Sequence, residues 1–115
     1  MVQSLHEAIA RDLGMRVRTA ENREDESINT TASICARSDG GRLALTIVNL
    51  GSNAVYLRPG AAPSSTVGIR LSDGGGSMSM NYRDDYSVVG KEWQAVTASG
   101  TTTLYVAEEL LEAGL

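Results

Sequence analysis

The side chains in this sequence that could do chemistry are few and stand apart from one another. Asp84 and Asp85 are adjacent in the segment NYRDDYS, where two carboxylates could act as general acid and base or bind calcium. Adjacent side chains of an extended segment point to opposite faces, and the segment lacks the D-x-D-x-D-G spacing of a calcium loop. A charged loop tip is therefore the favoured interpretation. His6 lies beside an apolar stripe without a partner motif, which favours a surface or interface histidine.

Cys35 is the only cysteine in the chain. An intrachain disulfide is therefore excluded, and no candidate base is near Cys35 in the sequence, which favours a buried structural thiol. The glycine-rich segment DGGGS at 73–77 does not open a helix, as a phosphate-binding loop must, because Met78-Ser79-Met80 alternates like a strand. We therefore expect no catalytic residue, no cofactor and no metal site, and hence a protein that is not an enzyme.

The charge of the chain also limits its partners. A net charge of -4 and a pI near 4.9 disfavour binding to the phosphates of nucleic acids. The N-terminal segment MVQSLHEAIARDL lacks the basic and continuously apolar regions of a secretory signal, and no run approaches the roughly 18 apolar residues of a membrane span. We expect a soluble protein made in the cytoplasm that binds neither nucleic acid nor membrane.

The elements that would position these residues are short strands. From Ile28 onward, apolar residues alternate in runs that end at the turn signals SDGG, NLGSN, RPG and DGGG. Seven or so strands at intervals of about ten residues predict a mainly β fold, an antiparallel β-sandwich or a small barrel. The predicted core residues are Leu45, Ile47, Val55, Leu57, Ile69, Leu71, Trp93, Leu104 and Val106.

The segment KEWQAVTASGTTTLYVAEE at 91–109 contains the last two predicted strands. An Ala-Ser-Gly-Thr corner at 98–101 separates two alternating runs, which predicts the final hairpin of the sandwich with Trp93 as its core anchor. After Val106 the period changes in VAEELLEAGL. This segment is consistent with either a frayed tail or a short helix docked on a neighbour.

The first 27 residues differ in composition from the rest of the chain. Ser4 and Glu7 form a possible capping box before an apolar stripe, and Ala20 to Ser27 is a polar connector. We therefore place an N-terminal assembly arm with a short helix at 1–27 and the β-sandwich domain at 28–115. The residues predicted to contact partners are Leu5, Ile9, Leu13, Met15 and Val17 in the arm, and Leu110 and Leu111 at the other end.

Three segments from 43 to 109 together resemble a type of small virion protein found in tailed bacteriophages. In that pattern a strand ending in N-x-G leads to V-Y-[IL], then to G-I-x-L and a glycine-rich turn, and finally to W-x-A-x-x-x-S-G-T, an L-x-V strand and an acid. The matching positions are Asn49, Gly51, Val55, Tyr56, Leu57, Gly68, Ile69, Leu71, Gly75, Trp93, Ala95, Ser99, Gly100, Thr101, Leu104, Val106 and Glu108.

The resemblance implies a non-enzymatic structural role. Proteins of this type are capsid decoration or cement proteins, head-fibre bases, and head or tail accessory modules. The expected partner is the major capsid protein, and the expected location is the capsid surface of a virion. We also expect self-association around a local symmetry axis, with a trimer favoured. A tail or head-fibre protein is one alternative, and a carbohydrate-binding module is another, with Tyr56, Tyr82, Tyr86 and Tyr105 as its candidate aromatics.

Overall fold

The computed structural model describes residues 16–112, and this part of the chain folds mainly into β-strands. The strands are β1 (Val17–Glu21), β2 (Ser27–Ile28), β3 (Ser33–Ala36), β4 (Arg42–Asn49), β5 (Val55–Pro59), β6 (Ile69–Leu71), β7 (Ser77–Asn81), β8 (Trp93–Thr97) and β9 (Thr102–Leu111). A short helix, α1 (Tyr82–Asp85), and a 3-10 helix (Tyr86–Gly90) lie between β7 and β8. The predicted antiparallel β-sandwich is confirmed.

The strands form two antiparallel sheets. The order in the first sheet is β1-β9-β4-β7, with β2 also paired to β9, and the order in the second is β3-β8-β5-β6. From β2 onward, every connection crosses from one sheet to the other except the one between β5 and β6. Two four-strand orders linked in this way form a jelly roll.

Alternating side chains from both sheets fill the space between them. In β9, burial alternates strictly from Thr102 to Leu111, and β4 shows the same pattern from Leu45 to Asn49. Of the predicted core residues, eight are at most 4% exposed: Leu45, Ile47, Val55, Leu57, Leu71, Trp93, Leu104 and Val106. The Trp93 indole Nε1 donates a hydrogen bond to the Val88 carbonyl at 3.3 Å, so its one polar atom is satisfied.

The prediction of Ile69 as a core residue is wrong, because its side chain is 44% exposed. Ile69 pairs with the buried Leu57, and paired residues direct their side chains to the same face of a sheet, so Ile69 does lie on the inner face. However, β6 is the edge strand of its sheet, where the core is open on one side. Alternation predicts which face a side chain occupies, but it does not predict how far the core extends.

The segment 91–109 does not form a hairpin. β8 pairs with β3 and β5, whereas β9 pairs with β1, β2 and β4, so residues 98–101 carry the chain from one sheet to the other. Stacked sheets lie about 10 Å apart, a distance that four extended residues can span. A glycine-containing corner therefore marks a reversal of the chain without specifying which strands pair.

The C-terminal segment is neither a frayed tail nor a helix through Leu111, because β9 continues to that residue. Glu108 occupies an inward position between Val106 and Leu110. Because a charged residue stands where the alternation calls for an apolar one, the strand pattern in the sequence appears to end after Val106.

The first sheet also extends across the boundary predicted after Ser27. β1 pairs with β9 from Val17 opposite Leu111 to Glu21 opposite Ala107, and β2 begins at Ser27. Main-chain pairing of this kind leaves little trace in local composition, so the described part of the predicted arm belongs to the sandwich.

Candidate assembly surfaces and the polar clusters that position them

Asp84 and Asp85 stabilise the start of α1. The Asp84 carboxylate accepts a hydrogen bond from Asn81 Nδ2 at 3.0 Å, and the Asp85 carboxylate accepts one from the Asn81 backbone amide at 3.0 Å. Both acids therefore have a local structural use at a helix N-terminus. Among residues 16–112, no group of three or more His, Cys, Asp or Glu side chains could hold a metal ion. His6 lies outside the described residues.

Cys35 lies in the core at 2% exposure, and its thiol donates to the Trp93 carbonyl at 3.5 Å. Burial disfavours the charged thiolate and raises the pKa of Cys35 to about 12. The thiol is therefore protonated at neutral pH and has little nucleophilic character.

A buried ion pair closes one end of the core. Arg42 Nε donates to Glu108 Oε2 at 2.7 Å, with the two side chains 0% and 2% exposed. Arg23 Nη2 donates to the same oxygen at 2.7 Å, and to Asp39 at 3.1 Å. The remaining Arg42 nitrogens donate to the carbonyls of Arg37, Val89 and Lys91. One guanidinium thus holds together β9, the end of β3 and the segment around the 3-10 helix.

This cluster holds its carboxylates in the charged form. Burial of Glu108 opposes ionisation, but hydrogen bonds from Arg23 and Arg42 outweigh it and lower the pKa of Glu108 below its ordinary value. Burial opposes ionisation of Asp39 as well, and hydrogen bonds from the Gly41 amide and Arg23 lower its pKa. Local sequence patterns do not reveal this cluster, because its members are separated by up to 85 residues along the chain.

A second polar cluster closes the opposite end of the core around Asn49. The Asn49 side chain accepts from Thr102 Oγ1 at 2.5 Å and donates to the carbonyls of Asn53 and Leu71 at 2.8 and 3.2 Å. Gly51 packs so tightly here that a Cβ would lie 2.1 Å from Thr102 Oγ1. The N-x-G motif is therefore a packing and hydrogen-bonding motif that fixes this turn.

The loops at that end also hold one another. Asn53 Nδ2 donates to the Thr101 carbonyl at 2.7 Å, and the backbone amides of Gly74 and Gly75 donate to the carbonyls of Gly51 and Asn49 at 2.9 and 2.8 Å. The three loops at 49–53, 73–76 and 98–101 thus form one rigid surface, here called the loop platform. Leu50 projects from it and is 60% exposed.

A cleft of about 580 Å³ lies beside the Arg42 cluster, lined among others by Leu43, Tyr82, Tyr86 and Lys91. Tyr86 is 77% exposed and has the backbone angles φ 54° and ψ −137°. A positive φ is strained for a residue with a Cβ, so the chain presents this tyrosine to solvent at a conformational cost.

The predicted partner-contact residues fall in different environments. Leu5, Ile9, Leu13 and Met15 lie outside the described residues. Val17 and Leu111 are partly buried and pair with each other across β1 and β9. Leu110 is only 2% exposed and faces the core of its own chain, so its prediction as a partner contact is wrong. Its alternation with Glu108 directs it inward.

The exposed large apolar side chains of residues 16–112 are instead Leu50, Val67, Ile69 and Tyr86. Leu50 belongs to the loop platform, and Tyr86 lines the cleft. Val67 precedes β6 and Ile69 begins it, so both lie at the edge of the second sheet. Three separate surfaces are therefore candidates for contact with partners.

No protein-family model matches the sequence, and no curated protein matches it. A solved structure of Bacillus endospore appendages, described as a novel family of disulfide-linked pili, is similar with a TM-score of 0.53 at 12% identity, over 84% of this chain and 89% of that chain. The coat protein dimer of Tobacco streak virus is similar with a TM-score of 0.46 at 9% identity, over 86% and 87%. The likeness to the appendage protein is one of fold. In residues 16–112, no helix has the length and apolar character needed to cross a membrane.

Proposed function

We propose that this chain is a non-enzymatic structural protein of a tailed-bacteriophage virion, which decorates the head by binding the outer face of the major capsid protein. The rigid sandwich spans the junctions between capsid subunits and reinforces the shell. Because a decoration protein touches several subunits at once, individually weak contacts add up through effective concentration.

The observation that carries the proposal is the position of the residues that resemble phage virion proteins. Asn49, Gly51, Gly100 and Thr101 all lie in the loop platform, and Asn49 and Gly51 hold Leu50 in place. A fixed turn that presents an exposed leucine loses little conformational entropy when it binds. Such a turn suits docking onto a preformed protein shell.

The fold offers a second support. The Bacillus endospore appendage protein, which has a similar fold, belongs to a family that forms pili. That family is disulfide-linked, whereas the one cysteine of this chain is buried, with its thiol hydrogen-bonded to the Trp93 carbonyl. Assembly of this chain would therefore rest on non-covalent contacts.

The positions of Tyr56 and Tyr105 count against a carbohydrate-binding module built on a sheet face. Tyr56 lies between the buried Val55 and Leu57 and so faces outward from the second sheet. Tyr105 alternates with buried residues of β9 and faces outward from the first sheet, where its hydroxyl donates to Glu21 at 2.8 Å. These two rings lie on opposite surfaces and cannot form one sugar platform, which leaves Tyr82 and Tyr86, both in the lining of the cleft, as the candidate rings for a sugar.

A sedimentation assay tests the proposal. Purified protein is mixed with capsids assembled from the major capsid protein of the same phage, and the fraction that sediments with the capsids is measured. We expect saturable binding that Leu50→Asp reduces at least tenfold, because the change places a charge on the exposed contact. The control is Ser52→Asp, an exposed residue of the same loop, which should retain binding.

The outcome also distinguishes the alternatives. Binding to purified tails or fibres but not to heads would replace decoration with the tail or head-fibre role. Binding to glycans that is lost on Tyr86→Ala would favour the carbohydrate module.

A further inference from the structure

The free edges of the two sheets differ in how well they resist pairing with another chain. Within residues 16–112, the first sheet has one edge formed by β1 and the two-residue β2, which both pair with β9, and a second edge formed by β7, whereas the edges of the second sheet are β3 and β6. An edge strand presents unpaired main-chain donors and acceptors, and proteins protect such edges with charges, prolines, bulges or short length.

Three of these edges carry such protection. β1 includes the exposed Arg18 and Glu21. β3 is interrupted by a register shift between Ile34 and Ala36. β6 is three residues long and contains the exposed Arg70.

β7 has none of these features. Its sequence is SMSMN, without charge or proline, and it pairs with β4 without a register shift from Ser77 opposite Val48 to Asn81 opposite Ala44. In the described part of the chain β4 is its only partner strand. The neutral residues from Ser77 to Met80 are therefore open to main-chain pairing, whereas the Asn81 amide at the end of the strand already donates to the Asp85 carboxylate at 3.0 Å.

The core beside β7 is also incompletely covered. Met78 and Met80 pair in register with Ile47 and Leu45, which are fully buried, so both methionines point toward the core. They pack against the core cluster but remain only partly buried. Ile69 of β6 is 44% exposed, and residues 72–76 connect β6 directly to β7, so the open edges of both sheets lie on the same side of the sandwich.

A second β7 has the chemistry that this edge can accept. In an antiparallel pair related by a two-fold axis through Ser79, each Met78 lies opposite Met80 of the other copy, and the two Ser79 side chains meet on the outer face. No charges oppose one another, and the flexible methionines can repack. An axis perpendicular to the sheet keeps the two apolar sides aligned, so the exposed Ile69 side chains of the two copies face each other.

We propose that β7 is a self-association edge at which two copies of this chain pair antiparallel, joining their five-stranded sheets into one continuous sheet. This deepens the self-association expected of the proposed virion protein and rests on that proposal. An isologous contact closes with two copies, so it predicts a dimer in place of the trimer expected from the sequence. The recognition mode is β-strand addition, in which main-chain hydrogen bonds supply affinity.

Light scattering coupled to size exclusion on the full chain tests the inference. We expect a dimer, and we expect Ser79→Lys to convert it to a monomer that still unfolds cooperatively, because Ser79 is exposed and two lysines would lie directly opposite each other. The control is Thr103→Lys, which adds the same charge at an exposed position of β9, two strands away from β7, and should remain a dimer.

A cysteine variant gives a second measurement that does not depend on disrupting the fold. Directly opposite residues of an antiparallel pair have Cα atoms about 4.5–5.5 Å apart, within the range that a disulfide requires. Ser79→Cys should therefore yield a covalent dimer under mild oxidation, while Thr103→Cys should not. The buried Cys35 thiol should not interfere.

Several results would overturn the inference. A native monomer or trimer would do so, as would a Ser79→Lys dimer or equal cross-linking of both cysteine variants. Dimers lost on deletion of residues 2–15 but retained in Ser79→Lys would show that the N-terminal segment is the contact. These measurements use the purified chain alone, so their failure leaves the proposed capsid contact intact, and failure of capsid binding leaves the dimer intact.

Discussion

Arg42 Nε donates a hydrogen bond of 2.7 Å to Glu108, and neither side chain is more than 2% exposed. The pair joins β4 to β9 inside the sandwich, and the Arg42 guanidinium also binds carbonyl groups of the segment from Val89 to Lys91. Charges in such a position stabilise a fold only while they remain together, because either one alone would be a buried, uncompensated charge.

Truncation of one partner should therefore be costly. We expect Glu108→Ala to lower the free energy of unfolding by about 3–5 kcal/mol, since Arg42 would be left buried without its carboxylate. Glu109→Ala is the matched control, because that side chain faces outward toward Thr19 and should change stability by less than about 0.5 kcal/mol. Urea unfolding measures both.

A double substitution separates the net contribution of the ion pair to the free energy of unfolding from the destabilisation caused by removing only one partner. Arg42→Met with Glu108→Leu should recover most of the stability lost in Glu108→Ala, because no unpaired charge remains. If Glu108→Ala and Glu109→Ala destabilise the protein equally, the ion pair does not support the fold.

The same cluster predicts how stability depends on pH. The folded state lowers the pKa of Glu108 and Asp39 from ordinary values of 4.5 and 3.8, so the unfolded chain binds protons more readily. Their contribution to stability is complete above about pH 4.5 and is lost as the pH falls through the lowered pKa values. Denaturant unfolding from pH 7 to pH 3 should show this loss. Glu108→Gln should flatten the profile below pH 4.5, and an unchanged slope would contradict the assignment.

Gly51 should tolerate no side chain. A Cβ at this position would meet Thr102 Oγ1 at 2.1 Å and Thr102 Cα at 2.9 Å, and the backbone of β9 cannot move away cheaply. We expect Gly51→Ala to cost about 1–3 kcal/mol or more by overpacking. Gly40→Ala is the matched control, since a Cβ there would have no neighbour within 4 Å, and thermal unfolding should barely distinguish it from the native protein. Equal melting temperatures for the two variants would contradict the packing at Gly51.

Tyr86 should be held in a strained backbone conformation. Its φ of 54° with ψ of −137° suits glycine, and its side chain is 77% exposed. Tyr86→Gly should therefore be more stable than Tyr86→Ala by about 1 kcal/mol or more, because both variants remove the ring but only glycine relieves the strain. Calorimetry compares the two variants directly. A less stable glycine variant would show that the backbone at this position is not strained.

Removal of the N-terminal segment should separate assembly from folding. Deleting residues 2–15 leaves β1 and every described contact in place, so we expect a near-normal unfolding midpoint with weaker capsid binding. Deleting residues 2–27 also removes β1 and the Arg23 bond to Glu108, so it should destabilise the domain. Unfolding of the shorter deletion would show that the segment belongs to the core, and unchanged capsid binding would show that the loop platform binds the capsid without help from the N-terminal segment.

The β-sandwich is predictable from the sequence because local signals specify it. The alternation from Leu43 to Ile47 and the glycine-rich turns mark strands and their ends, and Trp93 occupies the core position that its strand pattern predicts. The pairing of strands is not predictable in the same way. Residues 98–101 have the local signature of a hairpin although they connect different sheets, since strand order depends on contacts far apart in the chain.

The polar clusters are the least predictable part of the candidate surfaces. In the sequence Glu108 is only an acid after a strand, and its inward position makes sense only once Arg42 and Arg23 are brought to it. Asn49 and Gly51 are recognisable as a motif, but the sequence does not show that both residues contact Thr102, which is 53 residues from Asn49 in the chain. The incorrect prediction for Leu110 has a similar origin, since a neighbouring charge hides its place in the core period.

β9 is an interior strand of the first sheet, although it is the last strand of the described chain. During synthesis, β1, β2 and β4 leave the ribosome before β9, the strand with which all three pair. The first sheet therefore cannot form completely until β9 has been made. Pairing between such distant segments is intrinsically slow. A nascent or truncated chain that ends before Thr102 would expose the inner faces of both sheets. A cell would handle it as a substrate for chaperones and proteases, so only completed chains would become available for assembly.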